Sequence, residues 1–384
     1  MKKLLAAPFL LALAAGCRTA APDYWKPLPP GAPALLPLAP GEQHPDFSQQ
    51  WYAREDILPA LDNSIAWSKK PSSQRFFPIE GVNFERALKS LEHFREILQQ
   101  SQSAEDFEQR LDADFTVLKS AGWNGTGGGV LFTGYCTVEL EGSLTADATH
   151  RYPLYALPSD LVKGPEGEIL GRLTPQGMEP YPTRAVIEAS ALLEGKGLEL
   201  VWLANPVDAY VAHVNGSAVV HLTDGSMLRL GYSGKNGRTY VSLGQELVKD
   251  KQLDKSQLSL AGIRKWASAN PDKVEGYLRR NESFVFFAPI DHPPHGSLNV
   301  PVTAGRSLAT DKRLFPRGAI TFVDTKLGPK GGADVHQFLF DQDTGGAIRT
   351  AGRADMYLGQ GTEAERIAGA TRAEGQLYYL FLKQ

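Results

Sequence analysis

The sequence predicts a mainly β protein with peripheral helices. Apolar side chains recur at helical spacing early in the chain, at Phe84, Leu88, Leu91, Phe94 and Leu98. After Trp123 a glycine-rich stretch, residues 125–129, is followed by short apolar runs between turn residues, which is typical of strands. The 384 residues, 42% of them hydrophobic, can bury a sizeable core, and their number suggests two domains.

Local signals place the individual elements. We expect Asn83 to start the first helix, and Ser103 with Asp106 to form a capping box for a second helix that carries Phe107, Leu111 and Leu118. Further helices are predicted at residues 183–193, from the Asn-Pro pair at 270–271 onward, and behind a cap formed by Thr362 and Glu365. Strands are predicted at residues 198–203, 209–214, 218–222, 227–232, 319–323, 337–340 and 376–382, with a hairpin turn at 223–226.

The first residues predict an export signal. Lys2 and Lys3 form a positive start, residues 4–13 are apolar, and small residues precede Cys17. The apolar stretch is too short to cross a bilayer as a helix. We therefore expect residues 1–17 to be a lipoprotein signal with Cys17 lipidated, a plain cleaved signal peptide being the alternative. Residues 18–48 are rich in Pro and Ala and predict an extended tether.

The composition excludes several classes of function. The formal charge is −3 and no basic block is present, which argues against a nucleic-acid partner. Nothing in the sequence points to a metal site or a cofactor, and His213, in a predicted strand, is expected to be a satisfied core or groove-wall histidine. The two cysteines are Cys17 and Cys136, so lipidation of Cys17 leaves no intramolecular disulfide.

Candidate chemistry concentrates near the end of the chain. Asp343 and Asp355 stand on either side of a glycine turn, in a region where strand-connected loops can face a cleft. The tripeptide that begins at Asp343 matches that of aspartic proteases, but their mechanism needs two such aspartates and the chain has one copy. The segment from Gly359 to Ala364 fits a dinucleotide-binding spacing, yet only about twenty residues follow it, too few for the required βαβ unit.

A more specific resemblance covers most of the chain. Seven motifs carry it: Thr-Gly-Tyr-Cys-Thr at 133–137, Tyr-Pro-Leu-Tyr at 152–155, Tyr-Pro-Thr-Arg at 181–184, Glu-Leu-Val-Trp-Leu at 199–203, Gly-Tyr-Ser-Gly-Lys-Asn-Gly at 231–237, Gly-Arg-Ser-Leu at 305–308 and the segment 342–348. They occur in the order seen in the membrane-bound lytic murein transglycosylase A family, and the chain resembles that family. The terminal segment is similar to the family's three-aspartate module, with Asp311, Asp343 and Asp355 at the matching positions. Departures include Cys136, Val138 and Asn215, where the family commonly has Tyr, Pro and Gln.

The resemblance implies a double-psi, barwin-like β-barrel with a second, β-rich domain inserted into it and a substrate groove between the two. On this interpretation residues 49–137 form the first part of the barrel together with helices. Residues 138–288 form the inserted domain, and residues 289–384 form the terminal module that completes the barrel.

The implied activity is a peptidoglycan lytic exotransglycosylase. It would cleave the β-1,4 bond between N-acetylmuramic acid and N-acetylglucosamine and leave a 1,6-anhydromuramoyl end. Asp355 would act as acid and then base, with Asp343 as its neighbour or as a turn-forming residue. Candidate substrate-binding residues are Tyr135, Thr137, Tyr232, Lys235, Asn236, Gly345, Gly346 and Asp311, and Trp202 is a further candidate aromatic.

The resemblance also implies a setting. The partners would be peptidoglycan glycan strands, the membrane through a lipid anchor, and candidate proteins of cell-wall synthesis or division. The location would be the cell envelope, on the periplasmic face of the outer membrane. Two other functions stay open from the sequence: a non-catalytic peptidoglycan-binding lipoprotein on the same barrel, and a glycoside hydrolase that uses water.

Overall fold

A computed structural model describes residues 21–165, 168–329 and 332–384. The predicted export signal and Cys17 lie outside the described residues. Within the described ranges, no helix has both the length and the apolar character needed to cross a membrane. Nine α-helices are described there: α1 Arg54–Ser68, α2 Phe84–Gln100, α3 Ala104–Asp114, α4 Arg184–Ala189, α5 Pro206–Asn215, α6 Leu243–Lys249, α7 Leu260–Ala269, α8 Pro271–Leu278 and α9 Thr362–Ala370.

The strands make the protein sheet-rich, as predicted. The described strands are β1 Leu35–Pro37, β2 Phe115–Ser120, β3 Val130–Ser143, β4 Tyr152–Tyr155, β5 Leu161–Lys163, β6 Ile169–Thr174, β7 Gly177–Glu179, β8 Glu199–Leu203, β9 Ala218–Leu222, β10 Met227–Lys235, β11 Val285–Pro289, β12 Ser307–Ala309, β13 Ile320–Leu327, β14 Ala333–Asp343, β15 Arg353–Gln360 and β16 Arg372–Leu382. Strands β5, β6 and β7 form a small separate sheet, and the other strands are connected through one large sheet.

Six strands of the large sheet pair along a path that returns to its start. From β3 the path passes through β16, β13, β14, β12 and β15 and back to β3. The pairs β12–β14 and β15–β3 are parallel, and the other four are antiparallel. Fully buried side chains such as Phe132, Leu339, Met356 and Tyr379 belong to one apolar cluster contributed by these strands.

The long strand β3 belongs to two parts of the structure. Its first part pairs with β15 and β16, whereas residues 138–142 pair with β9. Strands β10 and β11 continue the sheet beyond β9, and β8 and β4 extend it from the end of β3. Helices α5 to α8 contribute to the apolar cluster of this second part, with Leu247, Trp266 and Leu278 among its buried side chains.

The N-terminal helices confirm two predicted caps. The Asn83 side chain accepts the N–H of Arg86 at 2.8 Å, and the Ser103 hydroxyl accepts the N–H of Asp106 at 3.1 Å. The full capping box is wrong, because the Asp106 carboxylate binds the N–H of Gln102 instead. Leu118 lies in β2 and not in the second helix, because α3 ends at Asp114 and the chain then pairs with β16.

The strand predicted at residues 209–214 is wrong. These residues lie in α5, whose N-terminus is capped by the Asn205 side chain binding the N–H of Val207 at 2.8 Å. The helix ends at Asn215, and its C-cap, Gly216, adopts φ of +74°, a conformation that glycine tolerates. Since α5 is apolar and buried around most of its circumference, its sequence lacks the polar face that would distinguish it from a buried strand.

Two further predicted caps are corrected. The Asn270 side chain donates to the carbonyl of Trp266, so it does not cap the helix that begins at Pro271. Gly361, with φ of +90°, occupies the cap position before α9, and Thr362 is already the first helical residue. The helix predicted at 183–193 has the expected Thr183 cap but ends at Ala189.

Part of the expected tether packs against the body. Ala34 and Leu35 are buried, and β1 pairs with β2. The Glu80 carboxylate accepts the N–H groups of Ala34 and Leu35 at 2.8 and 3.2 Å. The prediction of an extended tether over residues 18–48 is therefore wrong for this part of the segment, because its apolar residues find a place in the core.

A buried ionic group joins β14 and β16 to the segment that follows β12. The Asp341 carboxylate on β14 is fully buried and contacts the Lys312 ammonium, which is 6% exposed. It also accepts hydrogen bonds from the Thr310 hydroxyl at 2.7 Å and from the Tyr379 hydroxyl on β16 at 2.8 Å. The segment that follows β12 is thereby tied to β14 and, through Asp341, to β16.

We expect Lys312→Met to lower the free energy of unfolding by about 3 kcal/mol, because it leaves the buried Asp341 carboxylate without its counter-charge. Urea denaturation measures the change. The control is the double variant Lys312→Met with Asp341→Asn, in which no uncompensated charge remains and part of the lost stability returns. If the double variant is no more stable than the single one, the stranded charge is not the cause of the loss.

Candidate active site

A cavity of about 990 Å³ lies beside the ring of six strands. Strand β3 contributes residues 133–136 to its wall, and β15 contributes Arg353 and Asp355. Other parts of the wall come from helix α5, from Lys235 and the segment 237–245, and from the turn that contains Gly346, Ala347 and Arg349; Trp25 also lines the cavity. The cavity is therefore bounded by both parts of the structure that β3 connects.

Asp355 is a half-buried carboxyl in the wall of this cavity. In the strand register it lies beside Thr133 on β3 and Ala309 on β12. Its carboxylate accepts a hydrogen bond from the Thr133 side chain, whereas its Oδ1 atom has no partner among the described residues. An unpartnered buried oxygen is uncommon in folded proteins, and this one belongs to a side chain in the cavity wall.

Burial raises the pKa of Asp355 to about 6. The Arg353 guanidinium and the Thr133 hydrogen bond oppose this shift, and the charge of Asp343 adds to it. Asp355 can therefore hold a proton at a higher pH than an ordinary aspartate, and this is what a general acid requires.

Asp343 is held in one orientation at the end of β14. The Tyr135 hydroxyl donates to its Oδ2 atom at 2.8 Å, and the N–H groups of Ser297 and Thr344 donate to Oδ1 at 2.8 and 2.7 Å. Burial raises the pKa of Asp343, and these three hydrogen bonds oppose the shift. Asp343 thus also binds the backbone of the turn that follows it, through the N–H of Thr344.

The structure brings four of the predicted site residues to the cavity wall: Tyr135, Lys235, Gly346 and Asp355. Tyr135 also connects the cavity to Asp343 through its hydroxyl. Burial raises the pKa of Tyr135 well above its ordinary value, with the Asp343 charge adding to the effect. Tyr135 therefore remains a neutral hydrogen-bond donor beside Asp355.

Other predicted residues lie away from the cavity wall. Thr137 is buried, and its hydroxyl hydrogen-bonds with the hydroxyls of Ser217 and Tyr357 at 3.1 and 2.9 Å. Asn236 is buried as well; its amide donates to the carbonyls of Pro182 and Glu282 and accepts the N–H of Phe284. These bonds use the polar atoms of both side chains to hold the protein together.

Three more candidates occupy neighbouring positions outside the lining. Tyr232 is 53% exposed on β10. Gly345 lies next to Gly346 in the turn, facing Ile348. Asp311 is fully buried and forms an ion pair with Arg313, with 2.5 Å between Oδ2 and Nη2.

Neither His213 nor His44 lines the cavity. His213 lies in α5 and not in a strand; it is buried, and its Nδ1 atom accepts the N–H of Val285 at 3.0 Å. Burial lowers the pKa of His213 well below its ordinary value, so it is a neutral core residue. His44, Glu108 and Asp112 place potential ligand atoms within 4.8 Å of one another, but none of the three lines the cavity.

Sequence reasoning missed Trp25, Arg353 and Arg372, which all line the cavity. Trp25 lies in the segment that was expected to be a tether. Arg353 stands two residues before Asp355 on the same strand, so the alternation of side chains along a strand places both on the same face. That spacing was a usable signal, whereas the contribution of Trp25 depends on tertiary packing.

Comparisons with known proteins agree with this arrangement. Residues 131–288 match the MltA specific insert domain, and residues 306–381 match the 3D domain. The chain is 34% identical over 263 residues to membrane-bound lytic murein transglycosylase A of Vibrio cholerae, covering 67% of this chain and 66% of that protein. It is 31% identical over 260 residues to the Escherichia coli protein of the same name, covering 66% of each. The chain thus spans slightly less than two thirds of the length of these relatives.

Solved structures show the same fold. The membrane-bound lytic murein transglycosylase from Agrobacterium tumefaciens superposes with a TM-score of 0.74 and 27% identity, covering 88% of this chain and 97% of that one. The structure of E. coli MltA with bound chitohexaose superposes with a TM-score of 0.68 and 24% identity, covering 94% and 96% of the two chains. The second match supports the fold alone.

Because the pKa of Asp355 in the folded chain, about 6, exceeds its ordinary value of 3.8, the folded state binds more protons than the unfolded state between these pH values. The free energy of unfolding therefore falls as the pH rises through this window. We expect Asp355→Asn to be about 1–2 kcal/mol more stable than the unaltered chain at pH 7.5, with a much smaller difference below pH ~4.

Urea denaturation at the two pH values checks this. Asp224→Asn is a matched control, because the hydrogen bonds from Ser226 lower the pKa of Asp224 and predict a pH dependence of the opposite sign. A stability difference for Asp355→Asn that is the same at both pH values would contradict the raised pKa.

Proposed function

The chain belongs to the family of membrane-bound lytic murein transglycosylase A, and from this premise we propose that it cleaves peptidoglycan glycan strands by transglycosylation. The observation that carries the proposal is Asp355: a half-buried carboxyl in a cavity of about 990 Å³, with a pKa of about 6 and one oxygen without a partner among the described residues.

In the proposed reaction, protonated Asp355 gives its proton to the glycosidic oxygen as the bond from that oxygen to C1 of N-acetylmuramic acid breaks. The C6 hydroxyl of the same sugar bonds to C1, and its proton passes to the Asp355 carboxylate. The products are a 1,6-anhydromuramoyl end and a free hydroxyl on N-acetylglucosamine, and Asp355 is again protonated. The nucleophile belongs to the substrate, so its effective concentration is high and no water-activating base is required.

Asp343 would assist without exchanging a proton with the substrate. Its three hydrogen bonds fix its carboxylate, and through Tyr135 it holds one wall of the cavity beside Asp355. Its negative charge raises the pKa of Asp355 and would stabilise positive charge developing on the sugar ring. Lys235 and Gly346 are placed to contact the glycan, the latter because glycine permits close approach of the backbone.

We further propose that the closed path of six strands is a double-psi β-barrel, supported by its two parallel and four antiparallel pairs. Residues 49–137 and 289–384 would form the barrel with its helices, and residues 138–288 the inserted domain. The change of partners along β3 near residue 138 supports that boundary. The glycan would lie in the cavity where the two parts meet.

A water-using hydrolase is less well supported by the geometry. Ordinary glycosidases need a second carboxylate that activates water or attacks the sugar. The other carboxylate in the cavity wall, Glu365, is bound to Arg264, and Asp343 is occupied by its three donors. The arrangement leaves one available carboxyl, which suffices when the substrate supplies its own nucleophile.

We expect Asp355→Asn to lower cleavage of purified sacculi at least about 1,000-fold, because it removes the transferable proton while keeping the size of the side chain. Asp343→Asn should cause a smaller loss, since it only alters the electrostatic support. In the unaltered chain, the rate should fall as the pH rises through about 6, where Asp355 loses its proton.

Mass spectrometry of the released fragments tests the reaction type. Fragments about one water lighter than hydrolysis products indicate anhydro ends. Ordinary reducing ends would show a hydrolase, binding without release would show a non-catalytic protein, and full activity of Asp355→Asn would refute its assignment. The size distribution of the early products tests the proposed exolytic preference.

The relatives are named as membrane-bound, which supports a location in the cell envelope. We propose that Cys17 carries a lipid anchor that holds the protein on the periplasmic face of the outer membrane, where cell-wall synthesis or division proteins are candidate partners. Cys17→Ala should then move the protein from the membrane fraction to the soluble fraction on sedimentation of cell extracts. Unchanged sedimentation of this variant, with Cys136→Ala as the control, would exclude anchoring through Cys17.

A further inference from the structure

Positive charge is concentrated on the cavity wall. Lys235, Arg349, Arg353 and Arg372 line the cavity, and none of them forms an ion pair with a carboxylate of the described residues. We refer to these four side chains as the cationic wall. The chain as a whole has a formal charge of −3, so this concentration does not follow from the composition.

The positive charges of the cationic wall repel one another. Burial lowers the pKa of Lys235, and the positive charge of Arg349 lowers it further. Burial is also the main cause that lowers the pKa of Arg353; the charge of Asp355 opposes this shift, and the charge of Arg372 adds to it. Cations that repel one another around an open cavity are stabilised by an anionic ligand.

Two of the cations are held in position by an aromatic ring. The Cζ atoms of Arg353 and Arg372 lie 5.2 and 5.6 Å from the centre of the Trp25 ring. Arg353 is 5% exposed and donates one hydrogen bond, from Nη2 to the Thr133 hydroxyl at 3.2 Å. Its buried Nε atom has no partner among the described residues. A fixed guanidinium in a cavity wall, with one hydrogen bond to the protein and no carboxylate partner, favours an anionic acceptor as ligand.

We propose that the cationic wall binds a carboxylate carried on the C3 substituent of N-acetylmuramic acid. This inference rests on the proposed function, since it names the part of the substrate that the site selects. The planar guanidinium groups of the wall match the geometry of a carboxylate better than that of neutral hydroxyl or acetamido groups.

The position of the wall agrees with the chemistry of the substrate. Arg353 and Asp355 lie on one face of β15, two residues apart. The bond that breaks is at C1 of N-acetylmuramic acid, and the lactyl ether is on C3 of the same ring. A carboxylate on that substituent is therefore close to C1 and to the glycosidic oxygen, which Asp355 protonates in the proposed reaction. The carboxylate has two sources: the lactyl group itself, once its peptide is removed, and the acidic residues of an attached peptide.

Binding measurements with three ligands test the proposal and distinguish the sources. Chitohexaose carries no carboxylate, amidase-treated glycan strands carry the lactyl carboxylate alone, and peptide-bearing fragments carry the peptide carboxylates. Dissociation constants are measured on Asp355→Asn, so that the ligands are not consumed. We expect at least one carboxylate ligand to bind about tenfold more tightly than chitohexaose at low salt, and the preference to shrink as salt is added.

The test variant is Arg349→Gln with Arg372→Gln in the same background. Both arginines are exposed, so their replacement removes charge without removing core packing. We expect this variant to lose most of the preference, to within about twofold, while its affinity for chitohexaose is little changed. Arg366→Gln is the matched control, because Arg366 is an exposed arginine on α9 that pairs with Glu363 and does not line the cavity.

The proposal is overturned if Asp355→Asn with its four cations intact binds all three ligands equally well. It is also overturned if the preference for a carboxylate ligand survives the added replacements Arg349→Gln and Arg372→Gln. A preference for the lactyl ligand identifies that carboxylate as the source, and one for the peptide-bearing ligand alone identifies the peptide. Cleavage of sacculi by the unaltered chain is assayed in parallel. Cleavage without a carboxylate preference overturns this inference alone, and a preference without cleavage overturns the proposed activity alone.

Discussion

The geometry of the site depends on the buried contact between Asp341 and Lys312. This contact, with Thr310 and Tyr379, joins β14 to β16 and to the segment after β12. Immediately beyond Asp341 the pairing of β14 with β12 shifts, so that Leu308 lies opposite Asp341 and Ala309 opposite Asp343. The extra residue, Gln342, donates to the carbonyl of Ala60 in α1 and accepts from Ser307. A bulge of this kind redirects the residue that follows it, and that residue is Asp343.

The two carboxyl groups of the site differ in how completely they are hydrogen-bonded. Both are half-buried, and burial raises the pKa of each. Asp343 accepts three hydrogen bonds and so has little capacity left for a substrate proton. Asp355 keeps a free oxygen, and Arg353 on the same strand limits how far its pKa rises. Different surroundings therefore give two identical side chains different hydrogen bonding, which in the proposed reaction separates the residue that holds the site from the one that exchanges a proton.

The sequence predicted those features that depend on neighbouring residues. Local signals mark the caps at Asn83 and Ser103, the hairpin at 223–226 and the cluster of aspartates near the C-terminus. The structure contains both caps and the hairpin. The sequence did not reveal that α5 is a helix, because a segment buried on most sides shows no amphipathic period. Nor did it reveal that Trp25 reaches the cavity, because that contact joins residues more than 300 positions apart.

Thr137 illustrates why a residue in a family motif need not contact the substrate. It lies where β3 leaves the six-strand path and begins to pair with β9. Its hydroxyl hydrogen-bonds with Tyr357 on β15 and with Ser217, which directly precedes β9. A buried hydroxyl with partners on both sides joins the two parts, and residues of both parts line the cavity. The motif around Tyr135 therefore combines a residue that lines the cavity with one that joins the two parts of the structure that bound it.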